Sequence, residues 1–291
     1  MPRKGWANMR SSRPKELSEL RHILGRGDTD VRLLAGGTDL VVHLNRNPQE
    51  KWHLVDLTGI EELKKIERKG HCLEIGALVT FQELEESTEI SSGIKSLSGV
   101  ASLVGSCQIR NRGTTGGNVA NGSAAADLPP VLCALNALVV IERYDGSRRT
   151  VPAGEANPID MTSLARHGEY IRKFLIPLNE NDFSFFSKIG SRRAVTISKI
   201  NLSSSWRRQE GYIVKPRLYL GALGSWPIRA SEAEEFLSSA PSYDLSESEF
   251  LRILSATVER TIPKRASMPY KRQAVKGLGH QLWRNLGEVI E

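Results

Sequence analysis

The chain has 291 residues, of which 40% are hydrophobic and 25% charged, with a net charge of +7. That length suits two or three domains, and the composition is that of a globular chain able to bury a real core. The longest nearly apolar run, Val131 to Ile141, is broken by Asn136 and too short to cross a bilayer, and the basic first six residues lack the apolar stretch of a secretory leader, so a cytoplasmic protein is expected.

Lys15 to Leu24 carries Leu17, Leu20, Ile23 and Leu24 at helical spacing, with Pro14 in the first turn. Val31 to Ala35 reads as a buried strand, Leu40 to Leu44 as the start of a helix and Leu54 to Leu57 as a second strand. Lys65 to Ala77 forms a hairpin turning at Lys69-Gly70. Thr80-x-x-Glu83 has the form of a capping box opening a helix through Leu84. Ile94 to Val104 reads as a helix, and Leu128 to Leu135 as another that tolerates Pro129 and Pro130 in its first turn. A second hairpin, Ala137 to Val151, turns at Asp145-Gly146.

After Pro177 the pattern changes. A polar break at Asn179 to Asp182 precedes strands at Phe183 to Ile189, Ser198 to Trp206 and Lys215 to Gly221. Helices follow, with starts predicted at Ser231-x-x-Glu234 and Ser246-x-x-Glu249, and a basic amphipathic helix from Met268 to Leu286. Arg260 to Leu286 holds no acidic residue. With only Tyr270 and Trp283 as aromatics it suits a solvated face or an acidic partner subunit better than nucleic acid. Strands alternating with helices over the first 180 residues indicate an α/β unit, and the remainder an α+β unit. Cys72, Cys107 and Cys133 have no C-x-x-C spacing and supply neither an even disulfide set nor four metal ligands, so any iron–sulfur cluster belongs to another polypeptide.

Two glycine-rich turns dominate the chemistry. One is Leu33-Leu-Ala-Gly-Gly-Thr-Asp-Leu40; the other runs from Thr114-Thr-Gly-Gly-Asn118 to Asp127. Glycine lets the main chain approach a phosphate with its N–H groups unhindered. Neither turn fits G-x-G-x-x-G or G-x-x-x-x-G-K-[ST]. A lone Gly-Gly is equally a plain strand-turn-helix corner, but two such turns suggest a long ligand with a pyrophosphate in its middle, as in a dinucleotide. In the first turn the Thr38 hydroxyl adds a donor, while Asp39 either caps the helix or binds a ligand hydroxyl. The small residues Ala120 to Ala126 suit a tricyclic flavin better than a nicotinamide. Arg110 and Arg112 are either phosphate partners or solvated.

These motifs together resemble one family, the FAD-binding subunits of molybdenum hydroxylases, which include the medium subunits of carbon monoxide, nicotinate and xanthine dehydrogenases. The resemblance rests on Ala35-Gly-Gly-Thr-Asp-Leu40, Gln108-Ile-Arg-Asn-x-Gly-Thr-x-Gly-Gly-Asn118 and Asp127-Leu-Pro. It continues with Phe186-Ser-Lys-Ile-Gly-Ser-Arg-Arg193, Ile197-Ser-Lys-Ile200 and Arg265-Ala-Ser-x-x-Tyr270-Lys-Arg272. It implies an α+β chain: a two-subdomain FAD-binding domain of the vanillyl-alcohol-oxidase (PCMH) type over residues 1–178 (subdomains about 1–57 and 58–178), then a C-terminal domain of antiparallel sheet plus helices over 179–291.

By the same resemblance Leu33, Leu34, Ala35, Gly36, Gly37, Thr38, Asp39 and Leu40 wrap the pyrophosphate and ribityl chain. Thr114, Thr115, Gly116, Gly117 and Asn118 form the second cofactor loop, with Val104 and Asp127 as further contacts. Ile171 places main chain near the flavin, Lys188 contacts it and Ile197 covers one ring face. Arg112 and Thr115 replace more usual aliphatic residues. No histidine stands in a flavin-attachment motif, so FAD is expected to be non-covalent. The implied partners are a small [2Fe–2S] subunit and a large molybdopterin subunit, with electrons passing through FAD to NAD+ or another acceptor. No residue of this chain is then catalytic toward the organic substrate. The alternative is a free-standing FAD-dependent oxidoreductase of the same fold.

Overall fold

The computed structural model describes residues 9–47, 52–178, 183–192 and 195–287. The basic opening residues, the polar break at 179–182 and Arg193 lie outside them. Three sheets follow one another along the chain without exchanging strands. The first holds β1 (Arg10–Ser12), β2 (Val31–Leu34) and β3 (His53–Asp56), all parallel, with β3 in the middle. Parallel neighbours need crossovers, which α1 (Leu17–Leu24) and α2 (Leu40–Arg46) supply. Leu17, Leu20 and Leu24 form the buried stripe of α1.

The second sheet has the order β4-β5-β8-β6-β7 and is antiparallel throughout. Its strands are β4 (Ile66–Lys69), β5 (Cys72–Gly76), β6 (Leu138–Arg143), β7 (Arg148–Pro152) and β8 (Glu169–Pro177). Between β5 and β6 run α3 (Phe81–Glu86), α4 (Thr88–Gly93), α5 (Lys95–Leu103), α6 (Cys107–Arg110), α7 (Thr115–Ala120) and α8 (Leu128–Ala134); α9 (Pro158–Ser163) precedes β8. The capping box at Thr80 and Glu83 forms as expected. α8 is buried along its whole length and carries its two prolines in the first turn, where no intrahelical N–H is needed.

The third sheet, order β12-β11-β10-β9, joins β9 (Phe183–Ile189), β10 (Ile200–Gln209), β11 (Tyr212–Gly221) and β12 (Ile228–Arg229). It is followed by α10 (Ser231–Ser238), α11 (Glu247–Thr261) and α12 (Met268–Gly287). Alternation along β10 divides its work. Ile200, Leu202 and Trp206 join the core formed with α11 and α12, whereas Asn201 and Ser205 bond across to Asp127 and the Ala134 carbonyl. The expected capping box at Ser231 is absent. α10 starts after Ala230 with no side-chain cap, and Glu234 instead accepts from the Leu218 amide and the Arg229 guanidinium. A buried carboxylate among such donors is better satisfied there than at a solvated helix end.

The first core does not stop at residue 57. Leu57, Ile60, Leu63, Leu78 and Tyr170 pack with Leu17, Leu20 and Val31, so the parallel sheet rests on the start of the second. A buried carboxylate reinforces this seam. Glu142 on β6 is fully buried and accepts from the Tyr170 hydroxyl, from Arg148 Nε at 2.7 Å and from Arg172 Nη1 at 2.9 Å, and Arg21 of α1 lies 3.4 Å away. Burial pushes the Glu142 pKa up, but the bonds from Tyr170 and Arg148 and the charges of Arg172 and Arg148 outweigh it, leaving it below the ordinary value. Burial and the same bond push the Tyr170 phenol up.

Replacing Glu142 by Gln is expected to lower the unfolding free energy by about 2 kcal/mol, less than is usual for breaking a fully buried pair because the arginines keep some solvent contact. Because the native pKa is depressed, this contribution is complete above the ordinary Glu value of about 4.3 and is lost as pH falls toward the native value. Urea unfolding of both proteins should therefore show a gap at neutral pH that narrows below about pH 4.

Candidate functional site

The turn after β2 and the segment leading into α7 meet backbone to backbone. A Cβ on Gly36 would lie 1.8 Å from the Arg112 carbonyl oxygen, so only glycine fits. Gly37 has φ of +74°, the left-handed region that glycine enters without strain. Around this crossing opens a cavity of about 350 Å³, walled by the first turn, residues 77–81, residues 113–121 and the start of β8.

The two turns differ in what their amides do. Among the described residues, the N–H groups of Gly36, Gly37, Thr38 and Asp39 donate to no protein acceptor. The second turn is not a turn but the first part of α7, and its amides are engaged. Thr115 N–H donates to the Val79 carbonyl, Gly116 N–H to the Ala77 carbonyl and Gly117 N–H to the Thr114 hydroxyl. Gly116 is required because a Cβ there would lie 2.6 Å from Ala77 Cβ. Unhindered amides, expected of both turns, are thus a property of the first alone. The second docks on the chain leaving β5 and presents side chains instead. Asn118 lines the cavity, and its Oδ1 is buried with no hydrogen-bond partner among the described residues. The Thr38 hydroxyl is turned onto the Asp39 carboxylate at 3.1 Å, and Asp39 makes no side-chain cap on α2.

Most of the sequence-derived site residues converge here. Leu33, Ala35, Gly36, Gly37, Thr38, Asp39 and Leu40 line the cavity, as do Val104, Thr114, Gly116, Gly117, Asn118 and Ile171. Five others do not line it. Leu34 is not among the lining residues, and Thr115 is buried with its hydroxyl on the Gly76 carbonyl. Asp127 and Lys188 form a buried ion pair at 2.7 Å that joins α8 to β9. Asp127 also accepts from Ser198 Oγ at 2.5 Å and Asn201 Nδ2 at 2.9 Å. Lys188 also donates to the carbonyls of Leu103 at 2.8 Å and Thr196 at 3.2 Å. An ammonium has three N–H donors, so Lys188 reaches a further acceptor only by releasing one of these. Ile197 is 79% exposed; it adjoins Thr196, which Lys188 ties to Leu103 beside the lining Val104.

The sequence reading missed Arg32, Phe81, Leu164 and Tyr170 in the lining. Phe81, Leu164 and Tyr170 carry no mark in the sequence, and only the fold brings them to the cavity. Arg32 interrupts an otherwise apolar strand, a signal that was present. Among the described residues, three titratable side chains line the cavity: Arg32, Asp39 and Tyr170.

The architecture, a parallel sheet and an antiparallel one beside a cavity, is shared with known proteins. A family model described as the FAD binding domain in molybdopterin dehydrogenase matches residues 7–179. The chain is 30% identical over 283 residues to the nicotinate dehydrogenase FAD-subunit of Eubacterium barkeri, covering 96% of each chain. It is 31% identical over 214 residues to the xanthine dehydrogenase FAD-binding subunit of Escherichia coli O157:H7, covering 72% of this chain and 73% of that one. The solved structure of quinoline 2-oxidoreductase from Pseudomonas putida 86 superposes with a TM-score of 0.81 at 24% identity, covering 96% of this chain and 97% of that one, which shows the shared α+β fold. The chain belongs to the FAD-binding subunits of the molybdenum hydroxylase family, and is therefore an oxidoreductase subunit.

Gly36→Ala is expected to push the two turns apart and weaken FAD binding at least tenfold, about 1.4 kcal/mol, while far-ultraviolet circular dichroism stays unchanged; flavin fluorescence titration reads the first quantity. For the pair that joins α8 to β9, Lys188→Met leaves a buried carboxylate without its cation and is expected to cost about 3 kcal/mol. The double variant Lys188→Met with Asp127→Asn should lose less than the two single losses added together, which a denaturation cycle measures directly.

Proposed function

We propose that this chain is the electron-transfer subunit of a heteromeric molybdenum hydroxylase. It holds FAD non-covalently, takes electrons from a [2Fe–2S] partner subunit and passes them to NAD+ or another acceptor. The molybdopterin centre sits on a third, larger subunit. Residues 1–178 form the FAD-binding domain and 179–291 the C-terminal domain. The free thiols Cys72, Cys107 and Cys133 suit a reducing compartment such as the cytoplasm.

The observation that carries the proposal is the row of four unengaged amides at Gly36 to Asp39, facing the same cavity as the orphaned Asn118 Oδ1. Amides in such a nest suit the phosphate oxygens of a dinucleotide, and a buried acceptor suits a ribityl hydroxyl or ring N–H. The apolar wall of Phe81, Leu164, Tyr170 and Ile171 suits a flat ring. FAD, when bound, supplies a group that takes up two electrons and releases them onward.

The protein's own residues position rather than react. The Tyr170 hydroxyl is donated to Glu142 and its pKa is raised, so the phenol is held neutral beside the cavity. Asp39 is exposed and occupied by Thr38. Among the described residues no lining side chain is therefore set up as a general base for an organic substrate, which favours electron relay over independent substrate oxidation.

Apoprotein mixed with FAD at about a hundred times its Kd should gain about 2.7 kcal/mol in unfolding free energy and sharpen the visible flavin bands. Bleaching of those bands should require the reduced iron–sulfur partner. Steady turnover of a small organic donor by the isolated chain would instead establish the free-standing oxidoreductase, and a chain that stays colourless in excess FAD would sink both.

A further inference from the structure

One stretch on which the family resemblance rests, Arg265-Ala-Ser-x-x-Tyr270-Lys-Arg272, has no residue in the cavity lining. Two of its cations grip main chain instead. Lys271, in the first turn of α12, donates to the Ala222 carbonyl, and Arg265 Nη1 donates to the Leu223 carbonyl at 3.0 Å. Burial, and then the charge of Arg265, hold the Lys271 pKa below its ordinary value. Placing an ammonium there costs free energy that its bond to the carbonyl must offset.

The gripped residues begin a strap that runs from β11 toward the second sheet. Ala222 follows the last residue of β11 and has φ of +61°, a left-handed conformation that an alanine keeps only where its surroundings hold it. Its N–H donates to the Ala124 carbonyl at 3.1 Å. Just before it, a Cβ on Gly221 would lie 2.1 Å from Asn201 Oδ1 and 2.8 Å from Pro130 Cγ, so main chain is pressed against α8 and against the side chain that bonds to Asp127. Beyond it, Trp226 Nε1 donates to the Ala153 carbonyl at 2.9 Å.

Ala124 belongs to the stretch of small residues between α7 and α8. That stretch leaves the cavity at Ala120 and Asn121, which line it, and ends at Asp127. Its other bonds are local: Gly122 N–H to the Val119 carbonyl, Ala125 N–H to the Ser123 hydroxyl and Ala126 N–H to the Ser123 carbonyl. Among the described residues, the bond from Ala222 is the one hydrogen bond that reaches residues 122–126 from the third sheet.

We propose that Lys271 is a positioning residue for the cofactor site. It pins the left-handed Ala222, Ala222 holds Ala124, and the held stretch keeps Ala120 and Asn121 in the wall of the cavity. The proposal rests on the FAD reading above and adds to it a residue outside the cavity that sets how tightly FAD is kept.

The test uses the full-length chain freed of flavin, as wild type, Lys271→Met and Lys271→Arg. Each is titrated with FAD at low and high salt, and hydrogen exchange is followed by mass spectrometry. Substitutions along a coupling network move affinity by about 2- to 30-fold. Lys271→Met should weaken FAD binding within that range, while exchange quickens over residues 121–127. The loss should persist at high salt, where the field of a distant charge is screened, and Lys271→Arg, which keeps a donor, should recover most of it. By reciprocity, FAD bound to wild type should slow exchange at Ala222 and Leu223, neither of which lines the cavity. A lower melting temperature with unchanged FAD affinity in Lys271→Met would overturn the proposal, since Lys271 would then only stabilise the fold. A loss that disappears with salt would overturn it as well. So would exchange at Ala222 and Leu223 that ignores FAD, a wild-type measurement that stands whether or not the variants fold. A wild type that binds no FAD would overturn the flavin reading itself, a result distinct from all of these.

Discussion

Main chain lies directly on main chain where the turn after β2 crosses the segment entering α7, and every other part of the site is arranged around that contact. Gly36 abuts the Arg112 carbonyl and Gly116 abuts Ala77, each too closely for any side chain. Hydrogen bonds hold the segment entering α7 and the chain leaving β5 together on the second side of this contact: Phe81 N–H to the Gly113 carbonyl, Thr115 N–H to Val79, and Ala77 N–H to the Arg172 carbonyl on β8. The parallel and antiparallel sheets meet where Gly36 rests on the Arg112 carbonyl. The shared core through Ile60, Leu63, Leu78 and Tyr170, with the Glu142 network beside it, supplies the burial that holds them there.

Glycine-rich segments were legible in the sequence because their composition has few other uses, but their conformations were not. Gly-Gly at 36–37 and Gly-Gly at 116–117 read alike; one is an open turn with free amides and the other lies inside α7. Helix propensity argues against two glycines in a six-residue helix. The helix persists because Thr114 caps it and because its amides also find acceptors on the chain leaving β5. That information is tertiary and leaves no local mark.

Other gaps have similar causes. β8 went unread because Arg172 and Lys173 break its apolar run, yet both are held by carboxylates on neighbouring strands, Glu142 and Glu74. β1 is three residues long and offers no pattern. Glu234 looked like a capping residue because its spacing from Ser231 was right, whereas its carboxylate has a better set of donors on β11 and at Arg229. The motif around Asp127 and Lys188 marked two residues that matter without revealing that they bond to each other. Periodicity separated the first 180 residues from a final unit of sheet and then helices, whereas the division of the first part into a parallel and an antiparallel sheet was implied only by the family resemblance.

The contrast between the two glycine segments also separates stability from binding within one cavity. A buried amide without an acceptor costs free energy, so a fold tolerates a row of them only where water or a ligand can reach. The first turn meets that condition by facing the cavity. The second satisfies its own amides and so can be rigid whether or not a ligand is present. Rigidity in the second segment is what lets Gly36 be positioned at all, because the Arg112 carbonyl it rests on belongs to the same well-bonded stretch. The Asp127–Lys188 pair extends this support outward: Lys188 grips the Leu103 carbonyl at the cavity edge while anchored in the third sheet. The third sheet thus bears on the cavity edge through this ammonium, which holds the Leu103 carbonyl next to the wall residue Val104.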